Sequence, residues 1–241
     1  PAIEGLLAVD ASAVDLLDRF QPPSWQHPLG TDELGRDELV RLLYGGRVSL
    51  LVGALAALVA AGIGTTIGLI AGFFGGRIDA LLMRLTDGVI ALPLLPLLIV
   101  LAALDPAKLG LPVGGSGSDL AGLTRIIAIV ALAGFFPVLV NTLQGLRSAD
   151  EVQLDRMRIL NASWWQTFSQ VRLPYALPSI VAAQEITGSG SIIVAVAAEW
   201  MISSTGLGYV INNAMQNYRG DKVYAVALLA TALSFLIYSF V

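Results

Sequence analysis

Long charge-free stretches separated by polar connections dominate the chain. Val48–Phe74 carries no charged residue, and Gly88–Leu104 is shorter, with Pro93 and Pro96 inside it. Ile126–Leu146 is again uncharged and holds Phe135-Phe136-Pro137; Tyr175–Met201 carries Glu185 in its interior and Glu199 near its end; Val223–Val241 runs to the last residue. About 20 apolar residues cross a bilayer as a helix, and a charge held at mid-bilayer costs several kcal/mol. The pattern therefore predicts an all-α, polytopic membrane protein with five spans.

The polar parts differ in kind. Residues 1–47 set Glu4, Asp10, Asp15, Asp18, Asp32, Glu33, Asp37 and Glu38 among Pro22, Pro23 and Pro28, which reads as an aqueous segment of short helices and loops. Lys108 to Asp119, with Gly110, Gly114, Gly115 and Gly117, has the composition of a loop. Arg147–Arg172 is the longest polar connection between spans, and chemistry outside lipid belongs there. Placing it in the cytoplasm puts six cations inside (Arg77, Arg84, Arg147, Arg156, Arg158, Arg172) against four in the short outer loops (Lys108, Arg125, Arg219, Lys222), the bias of inner loops. Residues 1–47 then lie outside, which requires an upstream span and hence a six-span parent protein. The expected division is an extracytoplasmic segment, 1–47, and a membrane domain, 48–241.

Composition narrows the class further. The 241 residues are 56% hydrophobic and 13% charged, against roughly 45–50% and about 25% in soluble domains. With no cysteine and a single His27, the chain offers neither a thiolate or disulfide framework nor a histidine metal cluster. A net charge of −4 speaks against nucleic acid as a partner. No G-x-x-x-x-G-K-[ST] nucleotide cradle occurs, and no paired carboxylates or nucleophile-base set stands at helical spacing, so an intramembrane enzyme is disfavoured.

Within the polar connection, Ser163 followed by Gln166 forms a capping box that starts a helix near Trp164, Asn161 suits a reversal just before it, and Pro174 should limit its far end. Trp164, Phe168 and Val171 then recur at i, i+4 and i+7 as one apolar stripe that needs a partner. An amphipathic helix lying on lipid headgroups is the bland alternative. Mid-span, Gln184, Glu185, Thr187, Ser189 and Ser191 form a polar cluster that lipid would penalise, so it faces a helix partner or a water-filled path. Glu185 is the sharpest candidate for a path residue, while Glu199 and Asp87 lie near predicted membrane ends and His27 reads as a loop residue.

The run Asp155-Arg156-Met157-Arg158-Ile159-Leu160-Asn161-Ala162-Ser163, followed after nine residues from Asn161 by Val171-Arg172-Leu173-Pro174, resembles the cytoplasmic EAA loop of permease subunits of ABC importers. Asp155 stands for its Glu and Asn161 for its Gly, while Arg156 and Met157 depart from its alanines. His27-Pro28-Leu29-Gly30-Thr31-Asp32-Glu33-Leu34-Gly35-Arg36-Asp37 through Pro93 is similar to dipeptide, oligopeptide and nickel permeases; Phe136-Pro137 onward is similar to nitrate, sulfonate and taurine permeases. The resemblance implies a type I importer transmembrane fold in a bacterial inner membrane. It also implies an ATPase-coupling segment made of Asp155, Arg158, Asn161, Ala162, Ser163, Trp164, Trp165, Phe168, Val171 and Pro174. No cofactor is expected on the chain, with ATP and Mg on partner ABC ATPase subunits, and the other partners are a second permease, an extracytoplasmic solute-binding protein and lipid. A secondary transporter or channel is the alternative, and a non-transporting scaffold a further one.

Overall fold

The computed structural model describes residues 14–103 and 119–240. Its helices are α1 (Glu38–Phe74), α2 (Gly76–Ile90), α3 (Leu94–Ala103), α4 (Asp119–Arg147), α5 (Glu151–Ile159), α6 (Trp164–Thr167), α7 (Leu173–Ile202), α8 (Gly206–Gln216) and α9 (Gly220–Phe240). The expected glycine-rich loop after Lys108 lies outside the described residues.

α1 is the axis of the bundle. It contains no proline, and its buried face is made of small residues, Gly53, Ala56, Ala60, Gly64, Gly68 and Ala71. Among apolar helices in lipid there is no hydrophobic force to drive association, so close backbone approach over small residues takes its place. At Gly64 a Cβ would lie 2.9 Å from the Val138 Cβ, and at Gly68 it would lie 2.8 Å from that of Thr142. Both sequence numbers rise together, so α1 and α4 run parallel. α7 runs against both: Gly53 meets Ile192, Thr65 bonds Gln184, and Gly145 of α4 meets Ala176. α9 is parallel to α1, with Gly46 facing Leu229 and Leu233, and Lys222 paired with Glu38.

Parallel α1 and α4 force the intervening chain back across the bundle. Leu82 and Met83 of α2 pack on Ala71, Leu139 and Leu143 at the Phe74 end. Leu98 and Leu101 of α3 pack among Val52, Ala56 and Ile126 towards the Glu38 end. The return passage is therefore made in two pieces, and the single span expected over Gly88–Leu104 is corrected: among the described residues four helices are long and apolar enough to cross a membrane alone, and the window of the expected fifth is broken at Ala91–Pro93. Pro93 has no N–H to continue the ladder and pushes Leu92 away from helical angles.

α1 also begins at Glu38, ten residues before the expected span, and residues 14–37 are not a string of short helices. They wrap into a knob around Asp32, which is fully buried and accepts from the backbone N–H of Leu34 (2.8 Å) and of Arg36 (2.9 Å), and from the Arg36 and Arg41 guanidinium groups. Burial alone would raise the Asp32 pKa, but these four donors outweigh it and hold the carboxyl below its ordinary value. Gly35, at φ 74°, lies where any Cβ would strike the Asp15 carbonyl. His27 is more than loop punctuation: its Nδ1 lies 3.0 Å from Oδ2 of Asp37, whose other oxygen caps α1 at Val40 N–H (2.8 Å). Lys222, paired with Glu38 and 3.6 Å from Glu33, ties this knob to the start of α9.

Candidate functional site

The polar connection lies beyond the Phe74 end of α1. Asp150 caps α5 through the Val152 N–H (3.1 Å). Leu160 ends α5, and Asn161 takes the left-handed conformation at φ 50°. Its N–H reaches the Arg158 carbonyl (3.0 Å) and the next N–H, of Ala162, reaches back to Met157 (2.9 Å), which is the double bond set of a Schellman stop. The capping box then forms as the sequence predicts: Gln166 N–H donates to Ser163 Oγ (3.3 Å) and Ser163 N–H to Gln166 Oε1 (2.7 Å). Asp155 and Arg158 pair at 2.7 Å, but both are largely exposed, so the pair adds little.

Pro174 does not limit the helix that starts at Trp164. The helix continues without interruption to Ile202. Phe168–Arg172 forms a π-helical turn in which Leu173 N–H bonds the Phe168 carbonyl, and widening a helix by one residue there makes room for a proline ring that would clash in a regular turn.

The apolar stripe divides in two. Phe168 (6% exposed) and Val171 (7%) turn inward, and Phe168 packs with Leu146 and Ala176 while Leu69, Phe73, Leu173 and Ile180 close over the cluster. Phe73, near the end of α1, meets Trp164 edge-on at 3.7 Å between centroids, Phe168 at 5.1 Å and Trp165 at 5.7 Å. The partner expected for Phe168 and Val171 is thus within the chain. What the segment presents outward is Ile159 (84% exposed), Leu160 (73%) and Trp165 (62%), with Trp164 at 46%. Ile159 and Leu160 escaped the sequence reading because they end α5 and so fall outside the stripe that begins at Trp164.

The mid-span polar cluster is spread over several helix contacts. Gln184 donates to Thr65 Oγ1 (3.2 Å), Thr187 is buried against Gly134, and Ser191 returns its hydroxyl to the Gly188 carbonyl (2.7 Å). Ser189 bonds the Glu185 carbonyl (2.9 Å), and its own carbonyl accepts from Ser234 (2.8 Å). Glu185 is half-buried, and among the described residues no hydrogen bond reaches its carboxylate.

At the opposite end, Glu199, placed by the sequence near a membrane end, is fully buried and held by local hydrogen bonds. Its Oε2 accepts from Ser49 Oγ (2.6 Å) and Gly208 N–H (3.1 Å), and Leu207 N–H donates to Ser49 Oγ (2.9 Å). Gly206, at φ 90°, presses on the carboxyl so closely that no Cβ could be added, and Gly208 lies as close to the α7 backbone. The local feature of the sequence that marks this corner is the Gly206-x-Gly208 spacing. No group of three potential metal ligands occurs among the described residues.

Comparison with known proteins yields a match of residues 64–241 to the family of binding-protein-dependent transport system inner membrane components. The chain is 30% identical to the probable D,D-dipeptide transport permease DdpC of Escherichia coli K12, covering 84% of this chain and 68% of that protein. It is 32% identical to the putative aliphatic sulfonates permease SsuC of Bacillus subtilis (81% and 65%). Over 113 residues it is 42% identical to the dipeptide permease DppC of the same organism, spanning about a third (35%) of that protein. Among solved structures, an amino acid ABC transporter crystallised with histidines aligns at a TM-score of 0.66 and 14% identity (84% of this chain, 91% of that one). The inward-facing MetNI methionine transporter aligns at 0.61 and 20% (83% and 92%). At these identities the two structures speak for the fold.

Proposed function

The chain belongs to the family of binding-protein-dependent transport system inner membrane components, and on that premise we propose that it is the permease of an ATP-driven importer, coupled to a separate ATPase through Asp150–Arg172. It is a multi-pass membrane protein of ABC-transporter transmembrane fold, and the membrane is the bacterial inner membrane. The cargo is a small solute of peptide or sulfonate type, by the names of its relatives. The further partners are a second permease chain and an extracytoplasmic solute-binding protein, with ATP and Mg on the ATPase.

The observation that carries this reading is the build of the segment. A Schellman stop and a capping box fix a sharp reversal, a buried aromatic base of Phe73 and Phe168 holds it to the ends of α1, α4 and α7, and Ile159, Leu160 and Trp165 are left uncovered. Rigid support behind exposed aromatic and aliphatic anchors is what a force-transmitting interface requires. Asp155, Arg158, Asn161, Ala162 and Ser163 shape the reversal, and Pro174 accompanies the π turn that joins it to α7. In the membrane, Glu185 is the residue of the polar cluster left to face a path, while Gln184, Thr187, Ser189 and Ser191 hold the surrounding helices together.

Cross-linking tests the assignment. With the ATPase present, Leu160→Cys should cross-link to it through a short bifunctional thiol reagent, and Ser24→Cys, at the other end of the bundle, should not. Cross-linking from Ser24→Cys alone would reverse the topology and sink the reading.

A further inference from the structure

A groove of about 490 Å³ opens between α1 and α9, lined by Leu50, Leu51, Ala54, Leu233 and Ile237, with Arg47 on its rim. Its depth follows from the sequence. α1 is uncharged from Val48 to Phe74, roughly 40 Å at 1.5 Å per residue, which matches a bilayer including its interfaces. Arg47 therefore sits at the headgroup level of the leaflet on the Glu38 side, and Leu50 to Ala54 sit where acyl chains begin. The guanidinium is exposed, and no carboxylate or carbonyl among the described residues bonds it. Glu199, the carboxylate that meets α1 at this depth through Ser49, is fully buried and engaged elsewhere.

We propose that this groove is a phospholipid site, one acyl chain lying against Leu50, Leu51, Leu233 and Ile237 while the lipid phosphate pairs with Arg47. At this depth the exposed guanidinium lies level with the lipid phosphates, the anions with which arginine pairs bidentately. An acyl chain asks nothing of a lining that offers no hydrogen-bonding side chain except Arg47, and its headgroup carries the complementary anion to the level of that side chain. The inference does not depend on which solute the chain carries.

Native mass spectrometry of the detergent-purified permease, titrated with phosphatidylglycerol, tests it. The wild-type chain should hold one phospholipid per copy, Arg47→Gln and Leu233→Trp should each weaken that binding at least tenfold, and Arg47→Lys should keep it within a few-fold. Leu228→Trp, on the exposed face of α9, should bind as wild type and shows that a tryptophan there is tolerated. Diacylglycerol, which lacks the phosphate, should bind as poorly to wild type as phosphatidylglycerol does to Arg47→Gln, and millimolar inorganic phosphate should not displace the lipid. Equal lipid occupancy in wild type, Arg47→Gln and Leu233→Trp would overturn the proposal. So would separation of two permease copies by Leu233→Trp with lipid binding unchanged, which would assign the groove to a protein contact.

Discussion

Replacing Ile159 and Trp165 together by alanine should leave the permease folded yet strip it of its ATPase. Both side chains are mostly exposed, so their loss removes little internal packing, and surface changes away from special features fall within about 0.5 kcal/mol of neutral. Truncating a buried aromatic anchor at an interface costs about 2 kcal/mol or more, roughly a thirtyfold loss of affinity. Phe168→Ala should behave in the opposite way. Its ring is buried against Phe73, Leu146 and Ala176, and deleting a core phenylalanine costs about 3–5 kcal/mol, so the chain should lose thermal stability in detergent whether or not an ATPase is present. Co-purification and thermal unfolding of the two variants separate these outcomes. A Phe168→Ala chain of unchanged stability that fails to hold the ATPase would return the interface to the Trp164–Phe168–Val171 stripe.

Glu199→Ala should unhinge the corner where α7 turns into α8. The carboxylate accepts from Ser49 and Gly208 in a site closed to solvent, and each buried partner left unpaired costs about 1–3 kcal/mol. Together with the lost side-chain volume, this should cost several kcal/mol, visible as a large fall in the unfolding midpoint in detergent. Glu199→Gln keeps an oxygen for Ser49 or Gly208 and should lie between the two. Gly208→Ala should resemble Glu199→Ala, because a methyl group there would overlap the Val196 carbonyl and the Trp200 nitrogen. Equal stability of Glu199→Ala and the wild-type chain would show that α1 and α8 are held by apolar packing alone.

Spans set by long charge-free runs were legible in the sequence, as were the Asn161 reversal and the Ser163–Gln166 capping box, because each rests on local rules. Features that depend on a neighbour were not. The direction of the Trp164–Val171 stripe is decided by Phe73, some ninety residues earlier, whose ring occupies the space the stripe would otherwise offer a partner. Pro174 read as a stop because nothing local announces a π turn. The small-residue face of α1 looked like a generic apolar run until α4 supplied Val138 and Thr142 to fill it. The two-piece return through α2 and α3 could not be weighed without knowing that α1 and α4 are parallel. The burial of Glu199 rested on a contact with Ser49, 150 positions away.

Solute uptake into proteoliposomes holding this chain, its partner permease and the ATPase tests the central claim most directly, with solute-binding protein and labelled solute on one side and ATP supplied on the ATPase side. Uptake should require ATP, cease with a hydrolysis-deficient ATPase and fall to background when Ile159 and Trp165 are both alanine. Uptake that proceeds without ATP on an imposed ion gradient, and is indifferent to that double substitution, would make the chain a secondary transporter and contradict the account.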